Sequence, residues 1–450
     1  MLRRHLHRTR RQFLSVNKWK LRIVFWGGAV ALGAIAAVFA LASYRADGLF
    51  RSLYDYNPML AYVLGPIGLA LVAFVTHRYF VGTEGSGIPQ AIAAITMRDR
   101  AERDKVLSLK VAAGKILLTC GGLLSGASIG REGPTVHIGA SIMYSLRHII
   151  PFRGKDLSRA MILAGGAAGI SAAFNTPLAG ILFAIEEMSR SFEERTSGTL
   201  LIAVILSGIT ALVILGNYTY FGTTSASIGL SDAWLLVLIC GVVGGLLGGI
   251  FSQSLVYFTR KISPWLKRYP IRIALLCGII ISLVGFLSGG ATYGTGYHEA
   301  KALVTGSGDA TAALEFPLLK FFATLVSYLS GIPGGIFAPS LSIGAGIGAD
   351  LSQLFPAAPM AAIVMLGMVG YFTGVVQTPI TALVIVMEMT DNSSMLLPLM
   401  ITALIAKGVS SLVCPEPIYG ALAEAYLEKT AAPTEPAPTE EPAPAGETQR

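Results

Sequence analysis

GREGPTVHIGASI, residues 130–142, sets an ionisable pair, Arg131 and Glu132, between glycines in a stretch that is otherwise apolar and glycine-rich. In the second half of the chain GIFAPSLSIGAGI, residues 335–347, aligns with it without gaps and shares the first Gly, the Pro and the later Ile, Gly, Ala and Ile. A second match follows in the same order at nearly the same separation. TPLAGILFAIE, residues 176–186, faces TPITALVIVME, residues 378–388, keeping the Thr-Pro start and the final Glu. Glycine-rich sequence mimics either match alone; two in order indicate a duplicated chain.

Composition places these motifs in a membrane. Of 450 residues 53% are apolar and 13% charged, against about 25% charged in soluble domains, and the mean hydropathy is +0.64. Charge-free runs at 23–44, 57–76, 160–185, 233–259, 273–297, 321–349 and 351–387 each reach the roughly 18 to 20 residues that a helix needs to cross a bilayer. The longest are predicted to hold two or more helices joined by Gly/Pro breaks. The expected fold is an all-α polytopic membrane protein. Duplicated halves with broken segments at matching positions are the pattern of repeat-built transporters, whose substrate site lies near the midplane. A helix that starts inside the membrane aims free N–H groups and the positive end of its dipole at the cavity, which suits an anion. Gly permits close backbone approach there, and Pro fits the first turn that follows. Three segments have this form: Gly85-Ser86-Gly87-Ile88-Pro89, Gly130 to Pro134, and Gly335-Ile336-Phe337-Ala338-Pro339. An acid at such depth is costly to dehydrate, so Glu132 is the leading functional candidate.

The flanks set orientation. Arg3, Arg4, Arg8, Arg10, Arg11, Lys18, Lys20 and Arg22 precede the first apolar run, which by the positive-inside rule puts the N-terminus in the cytoplasm; the basic segment 98–105 suggests the same side. The stretch does not read as a cleavable signal peptide. A net charge of +8 fits topology signals and contact with anionic membrane lipids rather than nucleic acid. The expected organisation is a basic cytoplasmic segment at 1–22, a transport domain at 23–428 with halves at about 50–215 and 230–428, and a disordered Pro/Glu-rich cytoplasmic tail at 429–450. Cys120, Cys240, Cys277 and Cys414 are scattered through apolar tracts and read as buried thiols, and the six histidines show no metal-ligand spacing, so no metal and no cofactor is expected.

GSGIP, GREGP and GIFAP in that order resemble the signature of the CLC family of chloride channels and chloride/proton exchangers. Lys115 upstream of GREGP, the run AAFNTPLAGILFAIEEM at 172–188, and VMEMTDN at 386–392 extend the likeness over about residues 50–428. The resemblance implies two inverted-topology halves with tilted, broken helices, a homodimer with one pore per subunit, and a prokaryotic type without cytoplasmic regulatory domains in an inner membrane. It implies chloride as bound substrate, held by the Ser86 and Tyr419 hydroxyls and the backbone N–H groups of Ile336 and Phe337. Glu132 would be the gating glutamate, supported by Arg131 and Gly133, and Glu187 the internal proton-transfer glutamate. Serine at position 86 points to chloride, since nitrate-preferring members carry proline there.

Each residue also has a plainer reading. Glu132 as a structural partner of Arg131, Ser86 bonding a carbonyl one turn away, Tyr419 in an interfacial aromatic belt, and Glu187 as a solvated helix-end acid all remain open on the residues alone. Glu186, not Glu187, aligns with Glu388, so those two are expected to share a structural role. Lys115 neutralises or orients something buried, and His137 and His148 read as packed or interfacial. Retention of Glu132 and Glu187 favours a secondary active chloride/proton antiporter; the alternative is a passive voltage- or proton-gated chloride channel. Gly126-Ala127-Ser128-Ile129-Gly130 matches the nucleophile-elbow pattern, but it sits in a membrane segment with His137 alone and makes no triad, so enzyme activity is not expected.

Overall fold

The structure, a computed structural model, describes residues 16–149, 155–189, 194–216, 219–228, 234–307 and 315–430. The arginines at 3–11 and the tail from 431 lie outside the described residues. The described chain is helical, with two isolated β-bridges. The first half runs through α1 (Val16–Tyr56), α2 (Ala61–Tyr79), α3 (Ile88–Thr96), α4 (Arg100–Val106), α5 (Leu109–Leu124), α6 (Glu132–Ser145), α7 (Lys155–Phe174), α8 (Pro177–Phe183) and α9 (Glu194–Leu215). The second runs through α10 (Trp234–Arg268), α11 (Pro270–Leu287), α12 (Tyr297–Thr305), α13 (Glu315–Leu329), α14 (Phe337–Ser352), α15 (Met360–Val376), α16 (Pro379–Thr390), α17 (Leu396–Val413) and α18 (Ile418–Thr430). Helix α1 begins within the basic segment expected at 1–22, because a continuous helix carries its lysines out of the apolar span.

Among the described residues seven helices are long and apolar enough to cross a membrane. The long runs break where expected. The 160–185 run divides at Thr176-Pro177 and the 351–387 run at Thr378-Pro379, each Pro opening the next helix because it lacks the N–H that an interior position needs. Before each break the chain turns through a left-handed residue, Asn175 (φ 57°) and Gln377 (φ 59°), at equivalent places in the two halves. Outer helices such as α2 expose Val63, Ile67 and Leu71, as lipid contact requires, whereas α15 is buried from Ala362 to Val376.

Glycines let the inner helices touch backbone to backbone, the membrane route to tight packing without a hydrophobic driving force. A Cβ on Gly139 of α6 would collide with Gly165 O of α7, and one on Gly344 of α14 would lie 2.7 Å from Gly367 O of α15. The two contacts are equivalent under the repeat. The glutamates at 186 and 388 complete the correspondence. Glu186 accepts from Thr381 N (2.7 Å), Thr381 Oγ1 (2.8 Å) and Ile380 N (3.3 Å) at the start of α16, while Glu388 accepts from Ala179 N (2.8 Å) and Leu178 N (3.2 Å) at the start of α8. Each half therefore caps the other's Thr-Pro helix, the shared structural role read from the alignment.

Candidate functional site

Three loops meet at the centre of the fold, joined by main-chain hydrogen bonds. Gly85 N donates to Ile332 O and Gly334 N to Gly85 O, both at 3.1 Å. Gly130 and Gly335 exchange a pair at 2.7 Å each way. Helices α3, α6 and α14 start from these loops, and none has a side-chain hydrogen bond from its N-cap residue, Gly87, Arg131 or Ile336. Uncapped helix starts leave N–H groups for a ligand. Convergence of GSGIP, GREGP and GIFAP is thus a feature of the backbone itself.

Ser86 lies buried in the first loop, its Oγ without a hydrogen-bond partner among the described residues. It rests on Gly133, where a Cβ would collide with Ser86 Oγ and lie 2.9 Å from Ser86 O, so only glycine fits. Lys115, fully buried on α5, donates from Nζ to Gly85 O (2.6 Å) and Glu84 O (3.4 Å). What it orients is the backbone that presents Ser86, a partner that sequence could not show. The Tyr419 hydroxyl on α18 is likewise buried without a partner among the described residues. Its helix packs on α3, and the charges of Glu187 and Glu132 both act on it. Such burial against α3 is not that of an interfacial belt.

Ile336 is the N-cap residue of α14 and Phe337 its first residue. The Phe337 ring belongs to an aromatic cluster with Phe372, Phe174 and Phe183 at centroid distances of 4.3, 5.3 and 6.3 Å, leaving the main chain to face the loops. Glu132, fully buried, opens α6. Its Oε1 accepts from the Tyr220 hydroxyl at 3.5 Å, and Oε2 has no hydrogen-bond partner among the described residues. A Cβ on Gly130 would collide with that Oε2 and lie 3.3 Å from Ala338 N. The carboxylate therefore stands against the first turn of α14, where the helix dipole favours negative charge. Arg131 holds its guanidinium 5.9 Å from the Tyr220 ring centre and lines a cavity of about 220 Å³ with Thr295, Tyr297 and His298. Glu187 is buried in a π-helical turn at Ala184–Ser189 that follows α8, so it is not a solvated helix end. A second cavity of about 390 Å³ is lined by Gly85 with His77, Glu84, Gln90 and Tyr328.

The remaining candidates have plain roles. Ser128 Oγ bonds Thr324 Oγ1 and the Ser128 main-chain N donates to Ser327 Oγ, each at 2.9 Å, and these hydroxyls offer no base for an elbow nucleophile. His137 is buried with Nε2 3.0 Å from Val106 O, and His148 is exposed beside Arg147. Cys240, Cys277 and Cys414 are buried thiols, while Cys120 is half-buried beside Ser43. Tyr220 was not among the sequence candidates, because a tyrosine in a short polar loop carries no pattern.

Comparison with known proteins identifies the family and the fold. The family profile described as voltage gated chloride channel matches residues 68–411. Among solved structures, a slow cyanobacterial Cl-/H+ antiporter superposes with a TM-score of 0.79 at 26% identity, covering 91% of this chain and 98% of its own. A CLC-type fluoride/proton antiporter (TM-score 0.75, 23% identity, 89% of this chain and 96% of its own) and a eukaryotic CLC transporter (0.71, 20%, 91% and 75%) share the fold. With three uncapped helix starts around a buried glutamate and a profile match over most of its length, the chain belongs to the voltage gated chloride channel (CLC) family.

Proposed function

We propose that the protein is a secondary active transporter that exchanges chloride for protons. Chloride is the bound substrate, held by the Ser86 and Tyr419 hydroxyls and the N–H groups of Ile336 and Phe337. The observation that carries this reading is the position of Glu132. Its carboxylate stands at the uncapped start of α14, so as an anion it competes with chloride for the same donors. Protonation removes that competition and lets chloride enter; deprotonation reseats the carboxylate. Glu187, buried near Tyr419, relays the proton on the cytoplasmic side, and the cavity beside Arg131 opens to the outside. The protein works as a homodimer in a prokaryotic inner membrane, with both termini cytoplasmic and the 23–428 segment as its transport domain, and needs no cofactor.

The test is proton movement in proteoliposomes under an imposed chloride gradient, with the voltage set by a potassium ionophore. Uphill proton movement is expected. Glu132→Gln should keep chloride flux and abolish proton coupling, and Glu187→Gln should lose proton transport while sparing chloride binding. Intact coupling in Glu132→Gln would sink the mechanism. Passive conduction is the second reading, favoured by the channel description of the matching family; chloride flux with no proton movement in the unmodified protein would establish it.

A further inference from the structure

Tyr220 sits on the loop at 219–228, which leaves the first half and docks on the end of α16 in the second. Phe221 N donates to Met389 O (3.0 Å), Thr224 N to Thr390 O (3.3 Å), and Asn392 Nδ2 to Ala226 O (2.8 Å). The loop is thereby fixed to a rigid helix end. The Tyr220 ring is buried and fixed edge-on by Phe221 (4.9 Å), Tyr297 (5.0 Å) and Phe174 (5.4 Å). Its polar contacts include the Arg131 guanidinium, 5.9 Å from its ring centre, and Glu132 Oε1, 3.5 Å from its hydroxyl. Tyr220 also lines the cavity of about 220 Å³ that Arg131 faces, so it stands between that cavity and the carboxylate.

We propose that Tyr220 is a positioning residue for Glu132, its hydroxyl latching the ionised carboxylate in the seat at the start of α14. The latch rests on the exchange mechanism proposed above. A hydroxyl donates to a carboxylate more strongly than to a neutral acid, so the contact favours the seated, charged form and weakens when Glu132 takes up a proton. The contact is long for a hydrogen bond, which suits a latch that must release. Other groups set the same balance. Arg131 adjoins Glu132, the N-terminal turn of α14 faces Oε2, Tyr419 approaches from α18, and Tyr297, His298 and Asp47 face the cavity from α12 and α1. Helix α3 presents no charged side chain. Tyr220 donates its hydroxyl to Oε1.

Tyr220→Phe keeps the ring and removes the hydroxyl, so it separates latch from packing. In proteoliposomes chloride flux is expected to persist to higher pH, its midpoint rising by about 0.5 to 1 unit, because a carboxylate without the donor protonates more readily. In the Glu132→Gln background, where nothing titrates at the seat, Tyr and Phe at position 220 should give the same profile. An unshifted profile in Tyr220→Phe, with Glu132→Gln still uncoupled, overturns the latch and leaves the exchange mechanism standing. An equal fall in flux at every pH in both backgrounds makes Tyr220 a packing residue and also overturns the latch. Coupled transport in Glu132→Gln alone breaks the exchange mechanism instead.

Discussion

The loop that presents Ser86 has a counterpart in the second half at Gly294-Thr295-Gly296-Tyr297-His298, and the two have diverged over the same backbone. Both turn through left-handed glycines, Gly85 and Gly87 at φ 64° and 99°, Gly294 and Gly296 at 66° and 78°. Both precede a short nine-residue helix, α3 or α12. Both are held by one fully buried lysine, Lys115 on Gly85 O and Glu84 O, Lys320 on Thr292 O (2.8 Å), Gly294 O (2.9 Å) and Tyr293 O (3.3 Å). The hydroxyls differ. Ser86 Oγ is unspent among the described residues, whereas Thr295 Oγ1 accepts from Tyr297 N at 3.2 Å. Arg51 of α1 then ties the second loop down, bonding Glu299 at 2.8 Å, Asp47 at 3.2 Å and Tyr293 O at 3.2 Å. Duplication supplied two equivalent turns. One keeps a donor for a ligand, and the other is closed by the protein's own groups.

The largest effects should come from the lysines, where the comparison is nearly symmetric. Lys320→Met would take the donor from the buried carbonyls of Thr292 and Gly294, while Tyr293 O keeps Arg51, and orphaned buried polar groups cost about 1–3 kcal/mol each. A steep fall in folded yield and in the melting midpoint in detergent is expected. Lys115→Met orphans neither of its carbonyls, because Gly85 O still accepts from Gly334 N and Glu84 O from Gln90 Nε2; it should fall less far, yet it alone should weaken chloride binding by calorimetry, because the carbonyl that it releases adjoins Ser86. Equal chloride affinity in the two variants would dissolve the functional distinction between the loops.

The comparison also shows why parts of the molecule were legible in the sequence. GREGP and GIFAP share enough letters, and the Thr-Pro breaks are strong enough signals, that the duplicated helical fold and the convergence of three helix starts could be read before any coordinates. The two Gly-x-Gly turns could not be paired that way. Between them only the glycines persist, with Ser against Thr and Ile-Pro against Tyr-His. What they share is a dihedral pattern, which many sequences satisfy. The lysines held a usable signal, since each precedes its Gly-Pro motif by the same number of residues, but their partners are carbonyls, and carbonyls have no letter. Tyr220 reaches Glu132 only because its loop docks on α16, a contact between segments far apart in sequence.

Intermediate effects belong to the hydroxyls. Ser86→Ala removes a donor to a bound anion, worth about 1–2 kcal/mol for a charge-assisted hydrogen bond, so chloride affinity should fall about 5- to 30-fold with the melting midpoint of the ligand-free protein nearly unchanged. Thr295→Ala should do the opposite. It removes a turn-stabilising acceptor of about 0.5–1 kcal/mol and leaves chloride affinity as it was. Calorimetry and thermal melting on the same two samples separate the outcomes, and a loss of affinity in Thr295→Ala would show that the second loop still serves the ligand.

The smallest effects test where the halves remain equal. Glu186 and Glu388 cap each other's Thr-Pro helices across the repeat, and loss of a helix cap costs about 0.5–2 kcal/mol. Each Glu→Ala variant should therefore lower the melting midpoint slightly without altering chloride affinity. Glu186→Ala should cost more, since Glu186 also accepts from the Thr381 hydroxyl at 2.8 Å, while the equivalent residue facing Glu388 is Ala179, which has none. Replacing Thr381 with alanine should erase that difference of about 0.5–1 kcal/mol and bring the two caps to equality. A difference that survives in Thr381→Ala would mean that the halves are unequal at this contact too, for a reason other than the hydroxyl.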